Sequence, residues 1–344
     1  LATGLVATSR ITHATPASYA SHVASRADEA EIAVQMAEAR VDVMIGGGGR
    51  FFAPEAAGGS RADGRDLFRE LLGRGVVVTT TRAGFDGLRE APAVALLAPD
   101  HMAYEIDRDE TDEPSLAEMT RKALDLLAAS PAGRDRGFFL MVEGSRIDHA
   151  GHGNDAPAHV RDILAYDAAV AAVLDWARRD GNTLVVSTAD HETGGLTLGR
   201  DNVYAWDPAP LLAATMSAER LAGRFAEAGD TGGATREALI REALGDDSLA
   251  ADVDARLQQA LLLGPAPTPP VTAAASVDVF REVVDRRAGV AWTTGGHTAV
   301  DVGLYASGPG ADLFRGQMTN DAVGRAAFAA LGLAVPAEAA PGAP

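Results

Sequence analysis

The chain has 344 residues, 47% of them hydrophobic, enough to bury a large core as one sizeable α/β domain with an insertion or as two domains. Against 48 Asp and Glu stand 30 Lys and Arg, and the formal charge of −18 argues against nucleic acid or an anionic membrane surface as principal partner. There is no cysteine, which excludes disulfides, thiolate metal sites and thiol nucleophiles, so any transition metal must be held by His and carboxylate.

No apolar run approaches the ~18 residues of a membrane span. Lys122 is the single lysine, and its neighbours do not form a Walker A loop. In so acidic a chain an anionic substrate needs a local source of positive charge, and bound metal supplies one.

The opening LATGLVATSR has no charged segment followed by a long apolar stretch, so no signal peptide is expected in it. Beginning on Leu1 and moving at once into motif-like sequence, it reads as the start of a mature or truncated chain. Short apolar runs bounded by turn residues then predict buried strands at 41–45, 76–80, 93–98, 137–142, 183–188 and 302–306. Helical patterns lie between them. Ser115 and Glu118 form a capping box before Leu116, Met119, Ala123 and Leu127 on one face. After Pro157, Val160, Ile163, Leu164, Ala171 and Leu174 line one side of a second helix, which Gly181 is placed to end. This alternation predicts an α/β fold with a largely parallel sheet covered on both faces.

Residues 204–290 break the rhythm, being Ala-rich and helical in pattern with GPAPTPP at 264–270, and read as a helical insertion. The α/β domain then comprises 1–203 and 291–334, and 335–344 a flexible tail.

In open parallel sheets functional residues gather where strands end at their carboxyl side. Three clusters meet that condition. VEGSRIDHAGH at 142–152 carries Glu143, Asp148, His149 and His152; Asp190 and His191 follow the strand at 183–188; His297 lies in TTGGHTA, just before the strand at 302–306. Asp148 and His152, four apart, face one point from a single helical turn and need one more ligand, for which His297 is the natural candidate. Asp190 and His191 begin a second site, and Glu143, a hard oxygen donor, suits magnesium. Each feature alone is more often a capping Asp or a satisfied loop His. Together, three of the eight histidines with carboxylates or glycines at strand boundaries make that bland reading poor. GGGG at 46–49 reads as a sharp turn rather than a phosphate loop. His22 and His101 read as structural, and His159 as surface.

VEGSRIDHAGH, STADHETGG and TTGGHTA, in this order and preceded by SRITHATPASYASHVASR at 9–26, resemble the alkaline phosphatase family. The resemblance includes APDHMAYEIDRD at 98–109 and YASGPGADLFRG at 305–316, and is weakest over 204–290. It implies a three-layer α/β/α sandwich and a metal-dependent phosphomonoesterase with two zinc ions and one magnesium beside a serine nucleophile.

By motif position Asp148, His152 and His297 fall on the first zinc, Asp190 and His191 on the second, and Thr15 and Glu143 on magnesium. Arg26 falls on the arginine that grips the substrate phosphate. His13 and His149 fall on variable positions in a second shell, where histidine at both resembles the animal enzymes and several bacterial ones. The resemblance further implies a bridging aspartate and an Asp-Ser-Ala nucleophile in segments before the one matched by LATGLVATSR. The chain is therefore expected to be a carboxyl-terminal portion without the serine, with the sheet exposing an unpaired edge. A periplasmic or secreted homodimer is also implied. The alternatives are a non-catalytic metal- and phosphate-binding fragment, or a phosphodiesterase or sulfatase of the same superfamily.

Overall fold

A computed structural model describes residues 1–229, 233–245 and 273–335. Five strands form one parallel sheet: β1 (Ala2–Arg10), β2 (Val43–Gly47), β3 (Val77–Thr79), β4 (Ala93–Leu96) and β5 (Phe138–Glu143), in the order β3-β4-β2-β1-β5. β1 pairs with β2 through Leu5 and Met44 and with β5 through Leu5 and Met141, so it is an interior strand, next to the β5 edge. Helices cover both faces, giving the expected three-layer α/β/α architecture.

The strands alternate faces with period two. Val6, Val43, Ile45, Ala93 and Ala95 pack under α4 (Leu116–Ala129) with Met119, Ala123 and Leu127. Leu5, Met44, Val94 and Leu96 face α2 (Glu29–Glu38) and α3 (Leu67–Gly73), meeting Ile32, Met36, Leu67 and Leu71. The Ser115–Glu118 capping box forms as its spacing predicts.

One strand goes beyond the expected set, and one expectation is corrected. The opening segment, for which no strand was expected, forms an interior strand of the sheet. It escapes an apolar-run reading because small residues let neighbours approach: a Cβ on Gly4 would lie 2.7 Å from Leu127 Cδ1 and 2.9 Å from Leu140 Cδ1. The strands expected at 183–188 and 302–306 do not extend the sheet; β6 (Val185–Ser187) and β11 (Tyr305–Ser307) pair antiparallel with each other. β5 pairs on one side with β1 and ends the sheet on that flank.

The glycines after β2 make a sharp turn, with Gly48 at φ +91°, and seat the loop that follows β4. Gly48 N donates to Asp100 O at 2.8 Å, and a Cβ on Gly47 would come within 2.2 Å of that same oxygen.

Beyond β5 come α5 (Arg146–His152) and the long α6 (Ala156–Asp180), which ends at Gly181 in the left-handed region. Two short antiparallel pairs follow. β7 (Glu192–Thr193) with β10 (His297–Thr298) sets His297 opposite Thr193, while β8 (Thr197–Leu198) with β9 (Val290–Ala291) brings together the two ends of residues 204–290. Within that segment α7 (Ala218–Ala228), α8 (Gly233–Leu244) and α9 (Ala273–Ala288) share a core of Leu221, Phe225, Ile240, Leu244, Phe280 and Val284. The Pro-rich stretch at 264–270 and residues 336–344 of the expected tail lie outside the described residues.

Buried acids tie this helical segment to the α/β body. Asp155 accepts from Ala158 N at 3.2 Å and Ala218 N at 2.6 Å, and Asp107 accepts from Ser217 N at 2.9 Å. Among the described residues no helix is long and apolar enough to cross a membrane.

Burial drives the carboxyl of Asp162 up to about 7 although it accepts from Glu105 N at 3.2 Å. An acid whose folded pKa lies above its unfolded one holds its proton longer in the native state, so stability falls as pH rises from the ordinary carboxylate range toward 7. Asp162→Asn is expected to flatten that fall, read as urea midpoints between about pH 4 and 8; parallel curves for variant and parent would show the group is not involved.

Candidate metal centre

α5 starts three residues after β5 ends, and its first turns carry Asp148 and His152 on one face. Asp148 Oδ1 lies 3.4 Å from His152 Nε2 and 3.8 Å from His297 Nε2, and the two Nε2 atoms are 3.2 Å apart. Ligand atoms ~2.1 Å from a tetrahedral zinc stand ~3.4 Å from one another, so this triangle has the dimensions of three tetrahedral corners.

The hydrogen bonds around the triangle say what fills it. His152 Nδ1 is 2.7 Å from Gly295 O; that carbonyl can only accept, so Nδ1 carries the proton and Nε2 presents a lone pair toward His297 and Asp148. The neighbouring pair repeats the pattern. Thr193 Oγ1 donates to Asp148 Oδ1 at 2.6 Å and accepts from His191 Nδ1 at 3.1 Å. His191 Nε2 is then also a lone pair, set 3.2 Å from Asp190 Oδ2. Lone pairs facing carboxylates repel unless a proton or a metal cation lies between them. A ligating imidazole that sends its other N–H to a carbonyl or hydroxyl is the usual arrangement about zinc.

The two expected zinc groups adjoin each other. The rings of His191 and His297 stack at 3.5 Å, and one ligand atom each of Asp148, His191 and His297 lies within 4.8 Å of the others. Glu143, at the end of β5, accepts from Ser145 Oγ at 2.5 Å and from the Thr15 hydroxyl. Burial pushes its carboxyl above the usual range, and Asp190 and Asp148 push it further. The all-oxygen Thr15–Glu143 pair, at a carboxyl that burial makes costly to ionise, suits a hard cation.

On the other side of α5 the sign reverses. Arg26 is exposed, with Nη2 3.1 Å from His13 Nε2. His13 and His149, expected as a second shell, pack with His101, with ring centroids 5.3, 5.2 and 4.4 Å apart. Burial, followed by neighbouring arginines and imidazoles, holds His101 at about 3 and His149 at about 2, and His13 is lowered by burial, Arg26 and Arg10.

His101, read from sequence as structural, therefore belongs to the site. So do Arg10 and Arg146, which no motif singled out. Arg10 at the end of β1 binds Glu29 through Nε at 2.9 Å and Nη2 at 2.8 Å, and Asp100 through Nη1 at 2.7 Å. The strand-end rule that found Asp190 also applies to His101, five residues past β4. His159 is not on the surface either: its Nδ1 lies 3.1 Å from Ile147 O and its ring stands edge-on to Trp292.

A parallel α/β sheet with Asp148, His191 and His297 gathered beyond its carboxyl edge defines an α/β protein with a candidate metal centre. The chain belongs to the alkaline phosphatase family, whose model matches residues 1–333. It is 40% identical over 338 residues to the repressible alkaline phosphatase of Saccharomyces cerevisiae, covering 88% of this chain and 58% of that protein. It is 36% identical to alkaline phosphatase 3 of Bacillus subtilis over 344 residues, covering 96% of this chain and 68% of the relative. Among solved structures, the cold-active alkaline phosphatase of Shewanella sp. superimposes with a TM-score of 0.78 at 30% identity, covering 96% of this chain and 75% of that one. The Thermus thermophilus alkaline phosphatase gives 0.78 at 31% identity, covering 97% and 72%.

Thr193→Val removes the hydroxyl that links Asp148 to His191. Zinc affinity is expected to fall about 10- to 100-fold in a chelator competition, as for loss of an outer-shell partner; unchanged affinity would show that the hydroxyl orients neither ligand.

Proposed function

We propose that this chain carries the metal- and phosphate-binding side of a phosphate-monoester hydrolase of alkaline phosphatase type, acting on small phosphate monoesters. The reading rests first on the triangle of Asp148, His152 and His297, whose ligand atoms lie 3.2–3.8 Å apart with the His152 lone pair turned toward the other two. Asp148, His152 and His297 would hold one zinc, Asp190 and His191 a second, and Thr15 and Glu143 a magnesium. Bound there, the ions would supply positive charge to both the attacking and the leaving oxygen of an in-line displacement.

The chain's own groups bind and orient. Arg26 offers a planar guanidinium matched to two phosphate oxygens and fixed in charge at any working pH. Thr193 and the Gly295 carbonyl hold His191 and His152 in the tautomers that keep Nε2 free. Glu143 is kept in place by two hydroxyl donors.

Of the serines beside the expected ligands, Ser9 is fully buried with Oγ donating to Arg10 O at 3.1 Å, and Ser145 Oγ donates to Glu143. The family resemblance is what supports a serine nucleophile supplied by a segment outside these residues, and equally a periplasmic or secreted homodimer.

Incubated with zinc and magnesium, the chain is expected to retain zinc by metal analysis and to hydrolyse p-nitrophenyl phosphate slowly, with activity abolished by EDTA. A chain that retains no zinc would overturn the reading, whereas zinc and phosphate binding without turnover would reduce it to the binding fragment. Faster turnover of diesters or sulfate esters would reassign the substrate class. Arg26→Ala is expected to weaken phosphate binding at least about tenfold while zinc stays bound; loss of zinc in that variant would show Arg26 misplaced.

A further inference from the structure

His13, His101 and His149 have the outward form of a metal site, since one ring nitrogen of each lies within 4.8 Å of the other two. Their hydrogen bonds argue otherwise. Each ring presents a nitrogen to an arginine: His13 Nε2 to Arg26 Nη2 at 3.1 Å, His149 Nδ1 to Arg146 Nη1 at 3.0 Å, and His101 Nε2 to Arg10 Nη1 at 2.7 Å. A guanidinium only donates, so at His13 and His149 the nitrogen facing it must accept and the opposite nitrogen must carry the ring proton. This inverts the pattern at His152, whose far nitrogen donates to a carbonyl and leaves Nε2 free for a cation. Protonation of any of the three rings would add donors, not lone pairs.

His101 sharpens the point. Its Nδ1 also faces a donor, the backbone N–H of Arg10 at 3.2 Å. One neutral ring has one lone pair, so one of these two contacts sets donor against donor. An oxygen placed beside that contact would accept from both groups and relieve it.

Two of the three arginines are already compensated, Arg10 by Glu29 and Asp100, and Arg146 by Glu219 at 2.9 Å. They fix imidazole tautomers rather than supply net charge. Arg26 is exposed and reaches the trio through His13.

We propose that His13, His101 and His149, adjoining Arg26, form a subsite for a second anionic group on the alcohol portion of the ester. The chain would then favour phosphate monoesters whose leaving group carries a carboxylate or another phosphate. The inference rests on the assignment of Arg26 to the phosphate.

The test uses two non-hydrolysable ligands that differ at one end, 3-phosphonopropionate and propylphosphonate, titrated calorimetrically into the metal-loaded chain. The carboxylate is expected to tighten binding about tenfold, the worth of one charge-assisted hydrogen bond. In His101→Ala the ratio of the two affinities should fall toward one, and in His101→Asn, which keeps an N–H donor, it should be restored in part. Equal affinities in the parent chain, or a ratio that survives His101→Ala, would overturn the subsite while leaving the phosphate assignment standing. Failure of both ligands to bind would overturn the two together. Loss of one bound metal per chain in His101→Ala would replace the subsite with a metal site.

Discussion

The hydrogen bond from His152 Nδ1 to the carbonyl of Gly295 commits the rest of the site. It fixes one proton, and with it the direction of one lone pair. That lone pair is aimed at Asp148 and His297, whose ligand atoms lie 3.4 and 3.2 Å away. Thr193 repeats the device for His191. The 3.2–3.8 Å spacing of the three ligand atoms matches the corners of a tetrahedral metal site.

The sheet makes this geometry reachable. β1 and β5 run in register and end beside each other, so Thr15 from the segment after β1 meets Glu143 at the end of β5. The β7–β10 pair brings His297 across from Thr193. Residues 145 positions apart in sequence, His152 and His297, thus meet through two short pairings rather than one long one. The helical segment between β8 and β9 is fastened to the same region, since Arg146, against His149, also binds Glu219 on α7.

Two chemistries lie on either side of α5. Toward β7 and β10 its side chains meet carboxylates and imidazole lone pairs, which suit cations. Toward β1 and the loop after β4 they meet arginines and imidazole protons, which suit oxygens. Adjacent residues, Asp148 and His149, look into the two environments. The proposed phosphate ester would need both, a cation for the reacting oxygens and donors for the rest, and α5 presents residues suited to each on its two sides.

Much of this was legible in the sequence. The Asp148–His152 spacing, the strand-end position of Asp190 and His191 and the glycine-flanked His297 each carried a chemical signal, and the structure brings them together. β1 was not legible, because its pattern of small residues reflects how closely Leu127 and Leu140 approach Gly4, a tertiary constraint without local signature. Arg10 and His101 were missed for a related reason. They are 91 residues apart, and their roles depend on a contact that the Gly47–Gly48 turn creates by seating Asp100. The separation of 183–188 and 302–306 from the main sheet was equally hidden, since an apolar strand looks alike in either pairing.

The most direct test of the converging lone pairs is cobalt(II) substitution. Held by Asp148, His152 and His297, cobalt should show the intense visible bands of a four- or five-coordinate nitrogen–oxygen site, and these should vanish in His297→Ala. A pale octahedral spectrum like that of cobalt free in solution would mean that the triangle does not hold a metal.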